Sequence, residues 1–157
     1  MKNNKGFSYI ELILVLGVMM IVVSFVTISI GLVSRNSVTK AGDKVASKIS
    51  EARMMTIAKG VEKGAAVLKF ENGSYYCVID ETSYKVASEP VSISIVKDNG
   101  DVLSVSALGN VPIKFNRNTG GLNSSNSDYD LLRVENISSG KRVVYKFQKI
   151  TGKLELQ

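Results

Sequence analysis

From Leu12 to Ser34 the chain carries no charged residue, and the span is mostly Ile, Leu, Val and Met. About 22 residues of helix cover roughly 33 Å, enough to cross the hydrocarbon core of a bilayer. A buried helix of a soluble domain rarely runs that far without a polar face. The run therefore predicts a membrane-spanning helix over residues 7–33. An ordinary secretory signal has a shorter apolar region, about 7–15 residues. A plain signal anchor places its charges before the apolar run and none within it. Here Glu11 sits just inside, where an isolated carboxylate is costly. A cut after Gly6 would place the new amine of Phe7 one helical turn from Glu11. The two charges would then neutralise each other, within one chain or between neighbouring chains, and residues 1–6 would be a cleaved leader.

The segment Lys5-Gly6-Phe7-Ser8-Tyr9-Ile10-Glu11-Leu12 resembles the class III signal of type IV pilins and type II secretion pseudopilins. In that superfamily a membrane peptidase, the prepilin peptidase, cuts after the glycine and methylates the new phenylalanine amine. The resemblance implies cleavage between Gly6 and Phe7, N-methylation of Phe7, and Glu11 as the residue that guides assembly. It further implies other pilin subunits and an assembly platform as partners, with no cofactor. Tyr9 and Ile10 stand where Leu and Val or Ile are more usual. The anchor lacks the proline that many major pilins carry, the first proline here being Pro90.

After Ser34 the pattern changes. Charges appear at Arg35, Lys40, Asp43, Lys44, Lys48, Glu51, Arg53 and Lys59, while Val38, Ala41, Val45, Ile49 and Ala52 recur at spacings of three and four. This predicts an amphipathic helix over residues 34–60 that continues the anchor and offers one face to a sheet. Gly60 is the expected C-cap. Gly31 and Gly42 read as ordinary small residues. A helix from Phe7 to Lys59 would be roughly 80 Å long.

Residues 61–157 read as an antiparallel β head. Asn72-Gly73 is a two-residue hairpin signal, and it sets Phe70 opposite Tyr75 and Leu68 opposite Cys77, on one face with Ala66 and Ile79. Cys77, the single cysteine, then reads as a small core residue. At Asp98-Asn99-Gly100 a two-residue turn would oppose isoleucines to serines. A three-residue loop with Gly100 left-handed pairs Ile95 with Leu103 and Ile93 with Val105, which the hydrophobic pattern favours. Further strands are expected at Val111–Phe115, Leu131–Asn136, Arg142–Gln148 and Lys153–Leu156. Asn116 to Asp128 should form an exposed loop, and Ser138-Ser139-Gly140 a hairpin turn. The fold class is thus α+β: a long N-terminal helix, transmembrane then amphipathic, packed on an antiparallel sheet, as in the pilin fold. Ile113-Lys114-Phe115, Thr119-Gly120-Gly121, Val143-Val144-Tyr145 and Thr151-Gly152-Lys153-Leu154 are laid out in a way similar to the heads of the GspH/FimT group of minor pilins and pseudopilins.

Histidine is absent, which removes imidazole-based triads and the usual His-containing zinc sites. Asp80-Glu81 and Asp128/Asp130 look like turn residues, so no enzyme and no metal site is expected. The net charge of +6 falls to +4 without Lys2 and Lys5. The leading expectation is a structural, minor subunit of a type IV pilus or pseudopilus. It would be a single-pass membrane protein with its head outside the cytoplasm, reaching the cell surface on assembly. The alternative is a minor pilin of a competence pilus that binds DNA, with Lys141, Arg142, Lys149 and Lys153 as a phosphate-contacting patch. Adhesive pilus, competence pilus and secretion pseudopilus all remain open at this point.

Overall fold

The computed structural model describes residues 8–60 and 64–157, with side chains at all of these but 24–36. Helix α1 spans Tyr9–Lys59; Ser8 is its extended N-cap, and Gly60, at φ +105°, donates its backbone N–H to the Thr56 carbonyl. Val38, Ala41, Val45, Ile49 and Ala52 are all buried, and buried Thr56 extends the stripe by another turn. The Thr56 hydroxyl is satisfied on the Ala52 carbonyl at 3.0 Å. Leaving water stabilises the packed state by about 1.5–3 kcal/mol for each of Val45 and Ile49.

The head is built from two antiparallel sheets. The first joins β1 (Ala66–Glu71), β2 (Ser74–Ile79), β3 (Thr82–Ser88) and β6 (Asn110–Ile113) in the order β3-β2-β1-β6. The second joins β4 (Val91–Lys97), β5 (Val102–Ser104), β7 (Tyr129–Asn136), β8 (Arg142–Phe147) and β9 (Leu154–Leu156) in the order β5-β4-β7-β8-β9. Helix α1 packs against strands of both. The core that results combines the helix stripe with Leu68, Cys77, Ile79, Ile93, Ile95, Ile113, Phe115, Leu132, Val134 and Phe147.

The first hairpin has the expected register, Phe70 with Tyr75, Leu68 with Cys77 and Ala66 with Ile79. Its turn places Asn72 at φ +49° and Gly73 at φ +69°, as a type I′ turn demands. In the second hairpin Ile95 faces Leu103 and Ser94 faces Ser104, with Gly100 at φ +88°. The third closes through Gly140, pairing Leu132 with Tyr145 and Val134 with Val143.

Several expectations are corrected. The pairing of Ile93 with Val105 does not form, because β5 stops at Ser104 and a short helix α2 (Val105–Leu108) follows. Val105 is still fully buried; the helical turn delivers it to the core while redirecting the chain towards β6 in the other sheet. Strand β6 ends at Ile113, and Phe115 makes an isolated bridge to Leu122. Strand β8 ends at Phe147. The stretch 116–128 is no simple exposed loop. It contains a 3-10 turn at Ser124–Asn126, and buried Asn126 accepts from the Lys114 N–H at 2.9 Å and donates to the Pro112 carbonyl at 3.1 Å. Strand β3 was not among the expected strands. The register slips between Tyr75 and Tyr76, so adjacent Val86 and Ala87 both turn inward and the alternation that marks a strand is lost.

Candidate functional site

Of the residues that carry the sequence signal, Ser8 caps α1 and Tyr9 to Leu12 form its first turn. Gly6 and Phe7 lie outside the described residues. Glu11 sits exposed in the first turn, where an acidic side chain complements the positive end of the helix; its backbone N–H and that of Leu12 both donate to the Ser8 carbonyl, at 3.0 and 3.1 Å. Around it the helix is bare. Tyr9, Ile10, Leu12 to Leu16 and Val18 to Val23 are all large apolar residues with about half or more of their surface in solvent. Gly17 has nothing within 4 Å of where a side chain would begin. Isolated exposed leucines are ordinary, but a contiguous apolar surface on this scale marks an interface with lipid or protein. Among the described residues no helix is long and apolar enough to cross a membrane. The described side chains of the apolar run end at Val23, and those of 24–36 lie outside.

At its other end α1 is fastened to the head by contacts that local sequence patterns do not reveal. Gly42 lies under the Tyr145 ring: a Cβ there would stand 2.8 Å from the phenol oxygen and 2.9 Å from a ring carbon. The close approach lets the Tyr145 hydroxyl donate to Asp43 Oδ1 at 2.9 Å. Burial, and then the acceptor Asp43, push the Tyr145 hydroxyl well above its ordinary pKa. Gly42 is therefore a packing requirement and not merely a small residue. Arg53 Nε donates to the Gly120 carbonyl at 3.2 Å and to the Thr151 carbonyl at 2.5 Å. Thr119-Gly120-Gly121 and Thr151-Gly152 are the motifs that the sequence singled out. Their glycines pack closely: a Cβ on Gly120 would meet Ile57 and Arg53, and one on Gly152 would meet Phe115 and Arg53.

The four basic residues considered for phosphate contact are not brought together. Lys141 and Arg142 stand at the start of β8, whereas Lys149 and Lys153 follow its end, about 17 Å away at the rise of a strand. Lys149 is ion-paired with Asp98. Cys77 is fully buried, and desolvation pushes its thiol up to about 12, consistent with a core residue. Among the described residues no group of three or more His, Cys, Asp or Glu could hold a metal ion. A groove of about 710 Å³ opens between α1 and the β8–β9 edge, with Val38, Asp43, Arg142, Tyr145 and Leu156 in its walls.

No family model matches the chain, and no curated protein or solved structure matches it either.

Proposed function

We propose that the protein is a structural subunit, of the minor type, of a type IV pilus or pseudopilus. Its leader 1–6 is removed by the prepilin peptidase, its N-terminal helix anchors it in the membrane, and that helix later joins a filament core. One observation carries the reading. The helix that embeds Val38 to Thr56 in the head leaves every large apolar side chain from Tyr9 to Val23 exposed, around a lone carboxylate, Glu11. Such a surface requires a second environment.

The mechanism follows from what each environment offers. A helix that is apolar on all sides is as well suited to lipid as to a bundle of similar helices. Transfer between the two changes little hydrophobic exposure, so packing and polar pairing set the register. Glu11 of an incoming subunit meeting the Phe7 amine of its predecessor fixes the axial step, and the pair gains strength from low-dielectric surroundings. The head contributes no chemistry; it is carried to the filament surface. The competence alternative calls for Lys141, Arg142, Lys149 and Lys153 in one patch, and the length of β8 between them offers no support for it.

Mass spectrometry of the chain from cells containing the peptidase should find Phe7 as an N-methylated first residue. A chain beginning at Met1 in those cells would overturn the proposal. Glu11→Ala should leave the head folded and processing intact while filament yield falls at least tenfold. Wild-type yield from that variant would remove the register role of Glu11.

A further inference from the structure

A second groove, of about 380 Å³, lies on the opposite flank of the helix, between α1 and the turn from β3 into β4. Lys40 and Lys44, one helical turn apart on α1, line it together with Lys85 of β3, and Glu89 is the only acidic residue in its lining. All three lysines are exposed, and none enters an ion pair among the described residues. Four other lysines, Lys48, Lys69, Lys97 and Lys149, are matched with Glu51, Glu71, Asp128 and Asp98. Three lysines from two elements, against one carboxylate, give this concavity a net positive charge.

Its position identifies what it meets. Lys40 stands about 9 Å, and Lys44 about 15 Å, along the helix axis from Ser34, where the uncharged run ends. Side chains on a helix lean towards its N-terminus, here back towards the apolar segment, and the head-group layer of a bilayer is about 5–7 Å deep on each side. A tilt of α1 towards this flank would lower this side of the head, and its three ammonium groups, towards that layer. Lysine stems spread over the interface while the charged ends stay among the phosphates.

We propose that this groove binds the head groups of anionic phospholipids, and that the head docks through it on the membrane holding its own anchor. The proposal rests on the reading of α1 as a membrane anchor. It adds a defined orientation before assembly: the Lys40–Lys44–Lys85 flank lies against the bilayer, and the Asp43–Tyr145 flank faces away. Entry into a filament then requires release of the lipid contacts.

The test uses the full chain reconstituted into phosphatidylcholine vesicles, with or without phosphatidylglycerol. Lysines are footprinted with an amine-acylating reagent and read by mass spectrometry. Lys40, Lys44 and Lys85 should react at least about fivefold more slowly with phosphatidylglycerol present, the factor expected for one lysine at an anionic surface. Lys59 and Lys153, at the far end of α1 and in the last loop, should react alike in both. Lys85→Gln should weaken the protection of Lys40 and Lys44, and added salt should abolish it. Equal rates in the two vesicle types would overturn the docking proposal and leave the anchor standing. The same protection from inorganic phosphate over phosphatidylcholine would replace the lipid with a soluble anion and also overturn it. Failure of the chain to float with either vesicle would overturn the anchor itself.

Discussion

The two ends of α1 differ in what surrounds them far more than in backbone. Val38 to Thr56 present a single stripe of buried side chains at spacings of three and four, with charge on the remaining circumference. Tyr9 to Val23 present apolar side chains on every side and no interior to hide them in. The first pattern is satisfied within the chain, since both sheets close over the stripe. The second is satisfied only by something outside it. Helix propensity does not separate the two regions; the distribution of polarity around the axis does.

Paired substitutions test that contrast. Ile49→Ala removes a fully buried side chain and should destabilise the head by about 2–5 kcal/mol, measured by thermal unfolding in detergent. Ile13→Ala trims a half-exposed one and should leave the same transition within about 0.5 kcal/mol of wild type. Equal losses would mean that the exposed end packs on the head after all. Smaller, and sharper, is the glycine pair. Gly42→Ala drives a methyl group against the Tyr145 ring and should cost about 1–3 kcal/mol, with Tyr145→Leu relieving part of it. Gly17→Ala meets open space and should be neutral, or raise helicity by up to about 1 kcal/mol.

A further effect concerns pH and belongs to the packed region alone. The Cys77 thiol ionises near 9 when free and near 12 in the fold. Between those values the unfolded chain holds fewer protons than the native one, so stability declines as pH rises through the window and is unaffected below it. Tyr129 and Tyr145, also raised by burial, act in the same direction. Chemical denaturation across this range should show the decline, and Cys77→Ala should flatten part of it. A decline of unchanged slope in that variant would mean that the thiol is not the group responsible. At neutral pH an alkylating reagent should modify Cys77 only on unfolding.

What could be read in advance followed the parity of neighbouring residues. Asn72-Gly73 fixed a two-residue turn, and the alternation around it set Leu68 against Cys77. Asp98-Asn99-Gly100 called for a longer loop because a shorter one would have set isoleucines against serines. Parity fails where the structure breaks it. The slip beside Tyr76 turns Val86 and Ala87 inward together, and the helical turn at Val105 buries that residue without a strand. The division of the strands into two sheets depends on which edges meet, which no local pattern records. The contacts of Gly42 with Tyr145 and of Arg53 with Gly120 and Thr151 join positions 67 to 103 residues apart. Their partners emerge only when helix and head are seen together. The cleavage and assembly roles proposed for Gly6, Phe7 and Glu11 rest on the opposite kind of signal, one contained in a few consecutive residues.

Arg53 has a mechanical corollary. One nitrogen, Nε, holds the carbonyls of two separate loops, those at Gly120 and Thr151, against the last turns of the helix. A pull along α1 away from the head therefore strains both loops at once, and with them the edge formed by β8 and β9. Because one N–H is shared between the two carbonyls, losing it releases both loops together. A subunit towed by its N-terminal rod would thus keep its head shape under tension until the whole clasp gives way.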